Sequence, residues 1–281
     1  MKGNIHQLIC QALKEDQCFQ DITARILIGK DEVSEGDIIC KEEAVVCGLK
    51  IVQKVFKKID PKLQLRFLVK DGNRVKKNTK VVVLKGRARS ILSGERVALN
   101  FLSLLSGIAT LTHKFVKLVS PFKVKIMDTR KTTPTLRSLE KTAVRYGGGF
   151  NHRYHLQDMI LIKDNHRVII EKLLTIPQAI QKVRRKTKKP IEIEVNDLSQ
   201  FKQALDSSAD IIMLDNMSLS QMKKAVSMKA KRKKKCILEV SGGIHLKNIQ
   251  PIAQLGIDRI SIGALTHSPK AIDFSLEIQG S

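Results

Sequence analysis

Tryptophan is absent, tyrosine occurs twice, and aromatic residues make up 4% of the 281 residues. With so few rings, and no RNA-binding signature, the chain is poorly equipped to stack on bases. Cysteine is sparse as well. Cys10, Cys18, Cys40, Cys47 and Cys236 form no C-x-x-C pair, which argues against zinc and fits a reducing cytoplasm. No continuous apolar run approaches the ~18 residues that a membrane-spanning helix needs. The opening MKGNIHQLICQALKED lacks the long apolar core of a signal peptide. It reads instead as an amphipathic helix with Ile5, Leu8, Ile9 and Leu13 on one face. Acidic residues are also in short supply, 27 against 51 basic ones, for a net charge of +24. That excess invites a nucleic-acid reading, and equally suits an enzyme that draws in small polyanions. Only the location of the charge separates the two.

What is present is a globular composition, 42% hydrophobic, with length for one large or two modest domains. From about Asp128 onward one pattern recurs. A short apolar, β-branched run ends in a polar or glycine-containing tip, and a helical stretch usually follows. The runs are VKIMDTRK, MILIKDNH, IEIEVND, IIMLDN, CILEVSGG and RISIGAL. Continuous apolar runs of this length suit strands buried on both faces. Their alternation with helices implies parallel pairing and an α/β barrel, closed or nearly so, with its active site at the C-terminal ends of the strands.

The first hundred residues read differently. EGDIICKEEAVVCG and LQLRFLVKDGNRVKKNTKVVVLKGRARSIL give short strands around a helical IVQKVFKKI, an α+β arrangement. SGERVALNFLSLLSGIATLTHKFVKLV then reads as helical material, with Ser93 as its cap and Ser106-Gly107 as a break. The basic runs Lys182–Lys189 and Lys229–Lys235 each precede a strand. In a parallel barrel that is the face away from the active site, so they are expected to be solvated helix ends.

The strand tips sort by chemistry. Arg130, Lys131, His152, Arg153 and Lys163 would surround a small anion with more than one negative group, arginine as a planar fork and lysine as a point charge; His152 taken alone reads first as structural, and its neighbour Arg153 with the preceding YGGGFN turn raises the binding reading. Thr129 stands beside them. Glu194 and Asp215, on neighbouring strands, suit a hard divalent cation such as Mg²⁺. Ser241-Gly242-Gly243 and Gly263 are glycine turns on the last two strands, a common phosphate site in such barrels.

The segments ERVALNFLSLLSGIAT, DTRKTTPTLRSLEKTAVRYGGGFNHR, MILIKDNH, IEIEV, IIMLDN, LEVSGGI and ISIGALTHS, in this order and spacing, resemble the quinolinate phosphoribosyltransferases. The resemblance covers nearly the whole chain. It implies a glycosyltransferase of the nicotinate-nucleotide diphosphorylase (carboxylating) type. The reaction would join quinolinate to phosphoribosyl pyrophosphate with Mg²⁺, giving nicotinate mononucleotide, pyrophosphate and CO₂ for NAD biosynthesis. It implies an N-terminal α/β sandwich over 1–108, rejoined by 271–281, and an open seven-stranded α/β barrel over 109–270. Six barrel strands are evident in the sequence, with the seventh expected near Gly149–Arg153.

Carried over by motif, Arg130, Lys131, His152, Arg153 and Lys163 would bind the quinolinate carboxylates, with Thr129 nearby. Glu194 and Asp215 would hold the metal, and Lys131, Lys163, Glu194 and Asp215 would act in catalysis. Ser241, Gly242, Gly263 and His267 would hold the 5′-phosphate. Arg96 would reach the pocket of the partner subunit in a homodimer. Two departures stand out. Thr135 occupies a position where the family often has glycine, and YHLQD replaces a glycine-containing loop. The competing readings are a phosphoribosyltransferase for another nitrogenous acid, a barrel lyase with Lys131 or Lys163 as Schiff base, and a basic nucleic-acid-binding protein.

Overall fold

In the computed structural model, which describes residues 2–170 and 172–279, the chain divides into two units. The first comprises residues up to His113, 133–148 and those from Ser268 on; the second comprises 114–132 and 149–267. Residue 1, and residues 280 and 281 of the expected returning segment, lie outside the described residues. The helix Arg137–Tyr146 groups with the first unit, although the sequence reading gave all of 109–270 to the barrel. The reason is close packing at Gly147, where a Cβ would stand 2.4 Å from the Ala109 carbonyl oxygen.

In the first unit the strands are β1 (Val33–Cys40), β2 (Ala44–Val45), β3 (Gln64–Phe67), β4 (Arg74–Val75) and β5 (Thr79–Arg87). β1 lies between β5 and the C-terminal strand Phe274–Ile278, antiparallel to both, and β3 extends the sheet beyond β5. β2 and β4 form a separate small ladder. Helix Leu49–Ile59 buries Val52, Val55 and Phe56. The first helix, Lys2–Glu15, buries Ile9 and Leu13 from the stripe read in the sequence, while Ile5 and Leu8 are half-buried.

The helical material after β5 is one unbroken helix, Ala88–Val119. Ser93 is therefore interior, not a cap, and Ser106-Gly107 does not break it. Both residues have other work. Ser106 Oγ accepts from the Cys47 N–H at 2.9 Å and donates to the Cys47 carbonyl at 3.2 Å. A Cβ at Gly107 would lie 2.3 Å from the Lys270 carbonyl oxygen, so only glycine admits that segment. By length and composition this helix passes as a membrane span, contrary to expectation, but most of its apolar stretch is buried inside the protein. It is a core helix.

The second unit carries β6 (Lys125–Met127), β7 (Ile160–Ile162), β8 (Ile191–Val195), β9 (Ile211–Asp215), β10 (Ile237–Ser241) and β11 (Arg259–Ser261). They form one parallel sheet in the order β6-β11-β10-β9-β8-β7. These are the six runs read from the sequence. The seventh position is a single parallel bridge between Phe150 and Met127, within the expected stretch. Among the described residues no ladder joins Phe150 to β7, so the barrel is open there; Arg153 Nη1 reaches the Met159 carbonyl at 3.3 Å across the gap.

Local sequence sets the helix starts. Thr175 and Ser218 each close a capping box with a glutamine three residues on, and Asp197 caps the helix after β8. The basic runs lie ahead of β8 and β10, where several of their cations are tied down. Arg184 pairs with Asp210 at 2.6 Å, Lys229 with Asp258 at 2.9 Å, and Lys234 donates to the Ser207 carbonyl at 2.7 Å.

Candidate active site

Parallel strands deliver their C-terminal ends to one rim, and here the ends bound a single cavity of about 640 Å³ in the second unit. Thr129, Arg130 and Lys131 enter from the segment after β6. His152 and Arg153 follow the Phe150 bridge, and Lys163 follows β7. Glu194 and Asp215 come from β8 and β9. Ser241, Gly242, Gly263 and His267 complete the wall from β10 and β11. Every site residue expected from the sequence therefore lines this cavity except Arg96. Arg96 lies in the first unit on helix Ala88–Val119, with a side chain 63% exposed and Glu95 at 3.9 Å.

Asp128 locks two of these tips together. It is fully buried, accepts the His152 N–H at 2.8 Å through Oδ1, and holds the Asn151 amide through Oδ2 at 2.5 Å. The cations of both segments are thereby crowded into one wall. Arg130 Nε is buried and makes no hydrogen bond among the described residues. Burial, and then the neighbouring Arg130 charge, pull the Arg153 pKa below the usual arginine range, while Glu192, Glu194 and Asp158 oppose that. Such a wall favours binding an anion. Lys163 is paired in this state, its Nζ 2.6 Å from Glu194 Oε1.

The glycines are demanded by close approach. At Gly242 φ is +90°, and a Cβ would fall 2.1 Å from Asn216 Oδ1. Asn216 also adopts a left-handed φ of 53° and donates its side-chain amide to Asp215 Oδ2 at 2.9 Å. At Gly263 a Cβ would meet Lys131 Cδ at 3.0 Å and the His267 ring at 3.1 Å. Glycine here lets both side chains close over the turn. The Thr266 hydroxyl fixes the other side of the contact by donating to the Lys131 carbonyl at 2.8 Å. Thr135, noted as a departure, has φ +69°, the region that favours glycine. The YHLQD loop is organised by Asp158, whose Oδ2 accepts the backbone N–H groups of Tyr154 and His155.

Beneath the rim lie residues that the sequence reading passed over. Glu192 and Glu239, on β8 and β10, are fully buried. His152 Nε2 stands 3.0 Å from Glu192 Oε2 and 3.5 Å from Glu239 Oε1, and Nδ1 accepts the Arg153 N–H at 2.8 Å. The Ser261 hydroxyl donates to Glu239 Oε1, and Arg259 lies 3.9 Å from Oε2. Burial, then the Glu192 charge, push Glu239 up to about 7 against the pull of His152, Ser261 and Arg259. The signal was in the text of the sequence: IEIEV places Glu192 and Glu194 two apart on one strand, hence on one face.

Comparison with known proteins agrees over the whole chain. Residues 21–106 match the family described as quinolinate phosphoribosyl transferase, N-terminal domain, and residues 108–277 match its C-terminal domain. A probable nicotinate-nucleotide pyrophosphorylase [carboxylating] of Methanocaldococcus jannaschii is 39% identical, covering 99% of this chain and 98% of the relative. One from Bacillus subtilis is 37% identical over 98% and 93%. Among solved structures, the nicotinate-nucleotide pyrophosphorylase from Francisella tularensis superposes with a TM-score of 0.92 at 42% identity, covering 99% and 97% of the two chains.

Proposed function

The chain belongs to the quinolinate phosphoribosyltransferase family, and from that membership we propose that it makes nicotinate mononucleotide from quinolinate and phosphoribosyl pyrophosphate, releasing pyrophosphate and CO₂. The step belongs to NAD biosynthesis. The observation that carries the reading is the cavity wall. Arg130, Lys131, Arg153 and Lys163 line one cavity together with two carboxylates and two glycine turns, Lys163 against Glu194 and Lys131 against Gly263. A dicarboxylate and a polyphosphate have the complementary charge.

Arg130, Lys131, Arg153 and Lys163 hold the two substrate carboxylates, with Thr129 at the edge. That orients the pyridine nitrogen toward the anomeric carbon of the ribose, and much of the acceleration comes from such placement. Lys163 serves Glu194 until the acid arrives and is drawn to the substrate carboxylate when it does. Ser241, Gly242, Gly263 and His267 take the 5′-phosphate, backbone N–H groups at the turns facing the anion. Lys131, packed against Gly263, ties the acid pocket to the phosphate pocket. After transfer the bond to the 2-carboxylate breaks, CO₂ leaves, the electron pair stays on C2 beside the cationic ring nitrogen that stabilises it, and C2 takes up a proton from water. His152 keeps a place in the wall, with Nε2 3.0 Å from Glu192 and Nδ1 accepting the Arg153 N–H.

Mg²⁺ fits the donor set of Glu194 and Asp215. Both are hard oxygen ligands on the same cavity. Lys163 engages one Glu194 oxygen and Asn216 one Asp215 oxygen, which leaves a second oxygen on each. When bound, the ion supplies charge that offsets the build-up on pyrophosphate as it leaves. The working form is a cytoplasmic homodimer in which Arg96 completes the pocket of the partner subunit. Incubation with quinolinate, phosphoribosyl pyrophosphate and Mg²⁺ tests the reading. Nicotinate mononucleotide and CO₂ should appear in equal amounts; folded protein that forms neither would refute it.

A further inference from the structure

We infer that Glu192 is a positioning residue for this reaction, fixing the His152 ring from inside the barrel and, through it, the Arg153 guanidinium that receives the substrate. The inference rests on the reading of the cavity as the quinolinate site. It adds a role for an acid that touches no substrate.

Burial comes first. Glu192 is fully buried, and neither of its oxygens makes a hydrogen bond among the described residues. A charge sealed away without partners costs several kcal/mol unless something opposes it. What it meets is His152 Nε2 at 3.0 Å. The ring is held from its other side, because Nδ1 accepts the Arg153 N–H at 2.8 Å. That acceptance puts the ring hydrogen on Nε2, the ring atom in contact with the acid, although the contact does not have hydrogen-bond geometry.

Connectivity comes second. His152 and Arg153 are adjacent, and the His152 N–H is pinned by Asp128. The residue is thus anchored at its backbone by Asp128, at its ring by Glu192, and passes its orientation to Arg153 through Nδ1. Electrostatics point the same way. Arg130 and Arg153 repel each other across the wall, and Glu192 precedes Glu194 among the charges that support the Arg153 cation. Glu239 backs the arrangement at 3.5 Å, but the Ser261 hydroxyl engages it as well. Among the described residues neither Glu192 oxygen has such a second partner. The ordinary alternative is a structural acid with no tie to substrate.

Glu192→Gln keeps the shape and removes the charge, so the test is steady-state kinetics of that variant with each substrate varied. KM for quinolinate should rise about tenfold or more, the size expected when a buried charge partner is lost. KM for phosphoribosyl pyrophosphate should stay within about twofold, and the melting temperature should not fall, since one buried charge has gone. An unchanged quinolinate KM, or an equal rise in both KM values, would overturn the inference. A cycle with His152→Gln guards against a variant that folds poorly and separates direct from relayed action. If Glu192 acts through His152, the double variant is no worse than the weaker single one; additive losses would sink the relay. Wild-type turnover separates the two claims. With wild type active on quinolinate, a flat Glu192→Gln result removes only this inference; inactive folded wild type removes the functional reading beneath it.

Discussion

Replacing Glu239 by glutamine should make the protein more stable in alkaline solution and leave it nearly unchanged in acid. Glu239 is fully buried on β10, facing Glu192 on β8, His152, the Ser261 hydroxyl from β11, and Arg259. Its carboxyl rises from 4.5 to about 7 because burial and the Glu192 charge both oppose ionisation. The sign follows. An acid whose folded pKa exceeds its unfolded value holds its proton more tightly when folded, so it costs nothing below the unfolded value. Stability is then lost as pH climbs, fully so above the folded value. Between the two limits the loss amounts to about 3 kcal/mol. Glutamine carries no proton to lose, and its Oε1 still accepts from Ser261. Thermal unfolding of both proteins at pH 5 and pH 8 isolates Glu239 with the groups that interact with it, because titrations not linked to it cancel in the difference. The variant should gain several degrees at pH 8, at about 2–4 °C per kcal/mol for a chain near this size, and little at pH 5. Parallel curves at the two pH values would refute the reasoning.

Glu194→Ala and Asp215→Ala should raise KM for phosphoribosyl pyrophosphate more than KM for quinolinate, and excess chelator should abolish wild-type turnover; activity that survives chelation removes the metal. Gly107→Ala gains about 1 kcal/mol of helix propensity but drives a methyl to 2.3 Å from the Lys270 carbonyl oxygen. Overpacking of that kind costs about 1–3 kcal/mol, so urea unfolding should show a net loss. Thr135→Gly relieves a side chain held at φ +69°, and a gain of about 0.5–1 kcal/mol should appear in the same assay after the entropy of glycine is subtracted. For Arg96, mixed dimers of Arg96→Ala and Lys131→Ala subunits should recover about a quarter of wild-type activity. Half the dimers are then mixed, with one intact composite site each, and no recovery in confirmed mixed dimers would return Arg96 to its own subunit.

The barrel was legible because its strands are buried on both faces. Each of the six runs is mainly apolar and rich in β-branched residues, too short for a helix and closed by a polar or glycine-containing tip, and each became a strand of the parallel sheet. The seventh was not legible as a strand because it is only the bridge at Phe150, and a single bridge leaves no periodicity to read. The start of helix Ala88–Val119 was misplaced because Ser93 fits a cap by residue type, while the helix begins at Ala88, nearly two turns further back. Ser106 and Gly107 resemble a breaker for the same reason. Their role is set by Cys47 and Lys270, far away in the chain, which no local pattern encodes. The rim of the site could be read because tips report their own chemistry. Glu192 and Glu239 could not be weighed, since an acid inside an apolar run gives no sign of its partner.

Those two residues show what the alternation in IEIEV accomplishes. Ile191, Ile193 and Val195 point to one face of β8 and Glu192 and Glu194 to the other. All five are buried, so the strand is wholly interior yet half ionic. An apolar inner face would pack with less cost. It would also leave Arg130 and Arg153 as neighbouring cations with nothing beneath them. The acids below and the cations above form two layers, one at the level of Glu192 and Glu239 and one at the rim, where Lys163 is joined to Glu194. A layered field of fixed charges needs little reorganisation when an anion enters, and that is the form in which buried electrostatics lowers a barrier. Stability surrendered at Glu239 above neutral pH is thus spent on the same array that orders Arg153.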